Sequence, residues 1–269
     1  MQPLNFLESA LFSENDNQKG LARRLCTLEW LYRQKYSCAE ILKGILQIQT
    51  NHHYKILDDM IKEGLIKKWG TPHPVVKNIY LLTRKGANFL QHHCDQVIDN
   101  PMTDASKIGY ATLAHTIAVQ VYGIYYIDPE TPFLTEAEIR KMQQAGQKVP
   151  DFLFRNELGY DTAVEIELTP KKLHQAEIML SQALQSLVDQ RFDHVHIISH
   201  SDAILNRYVE LMNKETISLW CMNRSSRKWY RSRAEPIFIP KVTSRVSLIQ
   251  DGSGALSKLA GGSFTKIKQ

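Results

Sequence analysis

The sequence predicts an α/β (α+β) protein in which a helical module with a β-hairpin precedes a mixed sheet flanked by helices. Three observations carry this expectation. Apolar residues recur at three- and four-residue spacing across residues 18–34, 37–45 and 50–63, the mark of helices that bury one face. Two short apolar runs at 65–69 and 78–82 then flank a Gly/Pro turn, as the strands of a hairpin do. Further on, strand-length runs at 152–154, 162–168 and 195–198 are separated by a turn and by a longer amphipathic stretch, an order that suits an α/β core.

Residues 1–16 read as a polar, acidic N-terminal arm, and residues 17–95 as the first module. Its first helix sets Leu21, Leu25, Leu28 and Leu31 on one face. Ser37 is suited to cap a second helix through Ala39, Ile41, Leu42 and Ile45. Thr50 or Asn51 is suited to cap a third, with Tyr54, Leu57, Met60 and Ile61 as its buried stripe. Gly64 follows, where a left-handed residue ends a helix. Strands at 65–69 and 78–82 enclose the turn at 70–74, and Thr83 opens another helix.

Three helices and a two-stranded wing over roughly residues 18–93 resemble the winged-helix regulators. That resemblance implies a third helix entering the major groove with its N-terminal residues foremost. Asn51, His52, His53 and Lys55 are the candidates there. Lys67, Lys68 and Lys77 in the wing would lie near phosphates, where contacts give affinity without sequence information. Winged helices also serve as protein-docking modules, and that reading stays open.

The second module is expected over residues 104–240. It opens on a long apolar helix, 104–126, with Ile108, Leu113, Ile117, Val121 and Ile124 on the buried side and His115 within it. An acid-rich helix start follows at 135–140. Next come Pro150 and Asp151, an apolar run, a turn at 156–159, and a strand containing Glu165 and Glu167. A strand's period of two puts both glutamates on one face with Ala163, while Val164, Ile166 and Leu168 face the other way. Acids alternating with aliphatics in an apolar strand are costly unless a cation or water meets them. Hard oxygen donors of this kind suit Mg²⁺ or Mn²⁺. Lys171 and Lys172 then begin a helix, and a strand follows at 195–198.

This order, with "PD" and "ExE", resembles the PD-(D/E)XK nuclease superfamily, whose core is a restriction-endonuclease-like mixed sheet. The resemblance makes Asp151 the acid of PD and Glu165 the first acid of the (D/E)XK element, and Asp151, Glu165 and Glu167 are expected to hold the metal, with Lys171 as a phosphate or water partner. Glu167 stands where the superfamily carries a lysine, so either Glu167 serves as base and metal ligand or Lys171 reaches back into the site. The layout of a winged helix, "LAHTIAVQVYGI", "LTEAEIR", "VPDFLF" and "AVEIELTPKK" is similar to the MobC-type relaxases of the Replication-relaxation family, over roughly residues 18–200. That similarity implies nicking of one DNA strand at an origin of transfer, with an accessory mobilisation protein and a type IV coupling protein as partners. It also makes His115 and Glu136 candidates for the site. Two rivals share the parts: a transposase endonuclease subunit, and a DNA-binding regulator with an inert nuclease-like core. A third reading takes His194 and His196 as the His-x-His metal motif of tyrosine relaxases, with Tyr110, Tyr122, Tyr125 or Tyr126 as nucleophile.

Charge is distributed unevenly. Residues 17–95 carry 13 Lys/Arg against 6 Asp/Glu, residues 96–213 carry 9 against 16, and residues 214–269 carry 11 against 3. Basic flanks around an acidic middle suit polyanion binding on either side of a carboxylate site. The stretch at 224–233 interleaves Arg227, Lys228 and Arg231 with Trp229 and Tyr230, which suits phosphate contact plus stacking on unpaired bases. Residues 241–269 read as a basic Gly/Ser-rich tail. Scattered Cys26, Cys38, Cys94 and Cys221, no secretory pattern and no long apolar run point to a cytoplasmic protein without membrane insertion.

Overall fold

Helix α1 (Leu7–Phe12) opens the chain and packs along α2 (Asp16–Gln34). The computed structural model describes every residue except 2, 95–97, 100, 126, 129, 144–146, 224, 227, 253, 255 and 257–269. The expected N-terminal arm is thus a docked element. Leu4, Leu7 and Ala10 are buried, and the buried Glu29 carboxylate of α2 accepts from the Asn5 backbone at 2.9 Å and its side-chain amide at 2.9 Å. Three-residue apolar spacing drives the docking, and the carboxylate fixes its register.

Asn15 caps α2 by accepting from the amides of Asn17 and Gln18. The helix is surrounded by α1, a strand and a later helix, so it buries Ala22, Leu25, Cys26, Leu28, Trp30 and Leu31, more than one stripe, while Leu21 is exposed. Strand β1 (Tyr36–Ser37) follows, then α3 (Ala39–Ile45), α4 (His52–Lys62), β2 (Ile66–Gly70), β3 (Asn78–Leu82), α5 (Arg84–Gln91) and α6 (Tyr110–Tyr125). The strands form an antiparallel sheet in the order β1-β3-β2. Three helices and a wing stand as read, with β1 as an added strand.

Two local expectations shift. Ser37 lies in β1 and does not cap α3; Cys38 holds the cap position without a side-chain bond. In α4 the buried stripe is His53, Leu57 and Met60, and Tyr54 turns outward to donate to Glu40 at 3.0 Å. A polar ring took the core position because its Nδ1 meets the Thr50 carbonyl at 3.2 Å. Gly64 ends α4 at φ +73°, as expected of a residue without Cβ.

The two compact units divide between Pro132 and Phe133, not near residue 104. Helix α6 belongs to the first because Gln120 ties it there. The Gln120 Oε1 accepts from Trp30 Nε1 at 3.1 Å and Ser37 Oγ at 2.7 Å, while its Nε2 donates to the Tyr36 carbonyl at 2.9 Å. All of these groups are buried, so Gln120→Leu removes three buried hydrogen bonds together. At about 1–3 kcal/mol for each unsatisfied buried group, a loss of roughly 3 kcal/mol is expected in urea denaturation.

The second unit contains β4 (Phe133–Thr135), α7 (Glu136–Met142), β5 (Phe152–Arg155), β6 (Asp161–Glu167), α8 (Leu173–Val188), β7 (His194–Ser199) and α9 (Asp202–Met212). Short strands β8 (Thr216–Ile217), β9 (Trp220–Met222), β10 (Trp229–Arg231) and β11 (Ile237–Phe238) follow, and then β12 (Val246–Gln250). Five strands form one mixed sheet in the order β12-β7-β6-β5-β4. Strands β4, β5 and β6 are antiparallel, while β6, β7 and β12 run parallel. The parallel step from β6 to β7 is crossed by α8, as a parallel pair requires. Residues 246–250 therefore complete the sheet and do not belong to a tail, because their apolar alternation pairs with β7; residues 257–269 lie outside the described residues. Among the described residues no helix is long and apolar enough to cross a membrane.

Candidate functional site

The antiparallel β5–β6 hairpin positions the acids. Its turn is set by Asn156, whose Oδ1 accepts from Leu158 and Tyr160, and by Gly159 at φ +82°. Asp151 sits just before β5, where its amide bonds the Val164 carbonyl at 3.0 Å and its Oδ2 accepts from the Ile166 amide at 2.8 Å. That second bond places the Asp151 carboxylate against the stretch of β6 between Glu165 and Glu167. Both glutamates are buried, on the face shared with Ile197 and Ser199 of β7.

Two lysines meet them. Lys148 Nζ lies 2.6 Å from Glu165 Oε2, and Lys171 Nζ is ion-paired with Glu167 Oε1. Burial pushes Glu165 up to about 7; Asp151 and Glu167 add to the push and Lys148 opposes it. Burial disfavours the Lys148 ammonium, yet the charges of Glu165 and Asp151 outweigh this and hold its pKa above the ordinary lysine value. Helix α9 brings Tyr208 to Glu167, and burial together with that carboxylate pushes the phenol well above its usual pKa. Such a phenol stays protonated, which is unlike an activated nucleophile.

Asp151, Glu165, Glu167 and Lys171 are thus brought together. Glu136 begins α7 beyond β4; the β4–β5 register sets it at the same end of the sheet as Asp151, but its exposed side chain turns to Arg140. His115 lies half-buried within α6 of the first unit. Lys148 and Tyr208 were not anticipated.

Oxygen donors that repel one another suit a hard divalent cation, which usually takes one or two carboxylates plus water and phosphate. The residues fit that mode, with Asp151 and Glu165 as donors. They do not form a ready cage: among the described residues, no three His, Cys, Asp or Glu side chains are grouped to hold one ion.

The His-x-His reading meets the same limit. His196 pairs in register with Val164, so both histidines lie on the opposite sheet face from the glutamates, and no third ligand joins them among the described residues. His196 packs against Phe154, with ring centroids 6.0 Å apart, and burial lowers its pKa to about 4. The ring stays neutral in the folded protein while it protonates near 6.5 in the unfolded chain, so His196 withdraws stability as pH falls from about 6.5 to about 4. At about 1.4 kcal/mol per pH unit, the stability of wild type relative to His196→Gln should fall by roughly 3 kcal/mol between pH 7 and pH 4. Paired urea melts at the two pH values measure this.

On the wing and third helix, Asn51, His52, Lys55, Lys68 and Lys77 are exposed and Lys67 is half-exposed. His53 is a correction: it is buried at 2% exposure and bonded to Thr50, so it cannot read a base. In the second unit β9 and β10 form a hairpin on which Lys228, Trp229, Tyr230 and Arg231 are exposed. Arg231 lies over Trp220 at 5.3 Å and 3.5 Å from Glu177; Arg227 lies outside the described residues. Comparison of the chain with protein-family profiles, curated proteins and solved structures returned no match in any of the three.

Proposed function

We propose that the chain is a metal-dependent DNA endonuclease. Within that class, we read it as a relaxase that nicks one strand at an origin of transfer, acting in the cytoplasm with accessory mobilisation and coupling proteins. The observation that carries the reading is the convergence of Asp151, Glu165 and Glu167 on one hairpin of a mixed sheet, with the Glu165 carboxyl pushed up by its burial and, less, by the two other acids. A bound Mg²⁺ or Mn²⁺ would neutralise the scissile phosphate and supply an activated water. Asp151 and Glu165 would hold that ion. Glu167, oriented by Lys171, offers a carboxylate that can accept a proton from the attacking water. Lys228 and Arg231 offer phosphate contacts, and Trp229 and Tyr230 offer stacking faces.

A second reading, a DNA-binding regulator with an inert core, draws on the ion pairs that already match both glutamates. Relaxation of supercoiled plasmid carrying the cognate origin separates the two. Open circles formed with Mn²⁺ and suppressed by EDTA are expected of the nuclease. An intact plasmid, with the origin bound and partner proteins supplied, would favour the regulator.

For the winged helix, Lys68→Ala and Lys77→Ala are expected to weaken binding about equally on all sequences. Each should reduce the slope of log affinity against log salt by about 1. His53→Ala should instead lower stability. Fluorescence anisotropy across a salt series, on cognate and scrambled duplexes, checks the lysines, and a thermal melt checks His53→Ala.

A further inference from the structure

Lys148 is the least expected member of the acidic site. It lies three residues ahead of Asp151 in the irregular segment before β5 and meets Glu165 from there at 2.6 Å. Its side chain is 23% exposed and that of Glu165 only 6%, so this is an interior pair and not a solvated one. The Lys148 carbonyl accepts from Arg191 at 3.1 Å, which pins its backbone while the four-carbon stem remains the adjustable part. Glu167 is matched separately by Lys171 from the start of α8. The two glutamates therefore have two different lysines, delivered from opposite sides of β6 in sequence.

An ammonium and a divalent cation repel, and the repulsion is strong where both are held in an interior with little water between them. Removing the ammonium leaves Asp151, Glu165 and Glu167 facing one another with one fewer positive charge among them, an arrangement that a divalent cation relieves.

Resting on the nuclease reading, we propose that Lys148 is the resident counter-ion of Glu165, standing where a divalent cation binds, so that metal entry and withdrawal of the Lys148 ammonium are one event. The withdrawn ammonium becomes available to the DNA phosphate. With three carboxylates against two ammonium groups, the core carries a formal charge of −1, against −2 without Lys148, and is closed to loosely held cations when no DNA is present. The substrate assists the exchange by accepting the displaced charge, so metal and DNA bind with positive coupling.

The test uses the full chain, Mn²⁺ as probe, calorimetric titration and thermal melting, with Lys148→Met and Lys148→Arg beside wild type. In Lys148→Met, Mn²⁺ should bind about tenfold more tightly or better. Its melting temperature should fall in EDTA and rise with Mn²⁺ by more than that of wild type. Lys148→Arg keeps the charge and should keep a Kd near the wild-type value; it also shows whether loss of folding alone explains the methionine variant, which can be purified in Mn²⁺ if needed. If wild type binds Mn²⁺ and Lys148→Met binds it no more tightly, the counter-ion proposal falls while the nuclease reading stands. If neither protein binds Mn²⁺, both fall. Tightened binding in Lys148→Met without nicking by any form supports the counter-ion role and overturns the nuclease reading.

Discussion

Asp151→Asn and Glu165→Gln are each expected to abolish Mn²⁺-dependent relaxation of supercoiled plasmid. The loss should be well above the roughly 10–100-fold typical of removing an outer partner of a metal ligand, because here the ligands themselves are changed. The amide variants are preferred to alanine for a structural reason. Asp151 Oδ2 accepts from the Ile166 amide at 2.8 Å, and an asparagine carbonyl can keep that bond while losing the charge. Glu165→Ala would strand the Lys148 ammonium beside Asp151, and breaking a buried pair from one side costs about 3–5 kcal/mol. Glutamine preserves the shape. Activity should be read on gels of nicked and supercoiled plasmid, with folding checked by circular dichroism melts. Retention of metal-dependent nicking by both folded variants would sink the acidic site.

The largest stability effect is expected at Gly86→Ala. A Cβ there would lie 2.0 Å from the Leu65 carbonyl oxygen and 2.9 Å from its carbon. The obstacle is backbone, held where α4 passes into β2, and Thr83 caps α5 on the other side of the contact through its bond to the Gly86 amide at 3.0 Å. Nothing at this junction can swing aside as a side-chain tip would. Overpacking of well-ordered structure costs about 1–3 kcal/mol and sometimes more, and this site belongs at the upper end. A fall of roughly 10 °C in Tm is expected for the first unit. Gly20→Ala is the matched control: it lies in α2 with nothing within 4 Å, so alanine should stabilise by about 0.5–1 kcal/mol. Equal melting temperatures for the two variants would contradict the close approach.

The hairpin that carries the acids was legible because its alternation is strict. Val164 and Ile166 fill the core on one face, Glu165 and Glu167 share the other, and Asn156 with Gly159 mark the turn. The stripe of α4 was misread by one position, since His53 counts as a surface residue until its bond to Thr50 is known. Lys148 left no periodic signal: it sits in irregular chain, and its partner is 17 residues away across a strand pairing. Tyr208 could be placed on a buried face from Ile204, Leu205 and Leu211, but the spacing of one helix does not say which strand residue it meets. Helix α6 was assigned to the wrong module for a similar reason. Apolar periodicity shows that a helix buries a face without naming the neighbour. The one cue was Gln120, a polar residue within the apolar run that needs partners once buried.

Strand β12 carries a consequence for how the protein is made. Residues 246–250 cover the outer edge of β7, to which nothing earlier in the sequence is paired on that side. A nascent or truncated chain ending before residue 246 would present β7 as a bare row of backbone donors and acceptors, a template for joining another copy. Solubility of a chain cut before residue 246 therefore depends on keeping that edge from pairing with another copy.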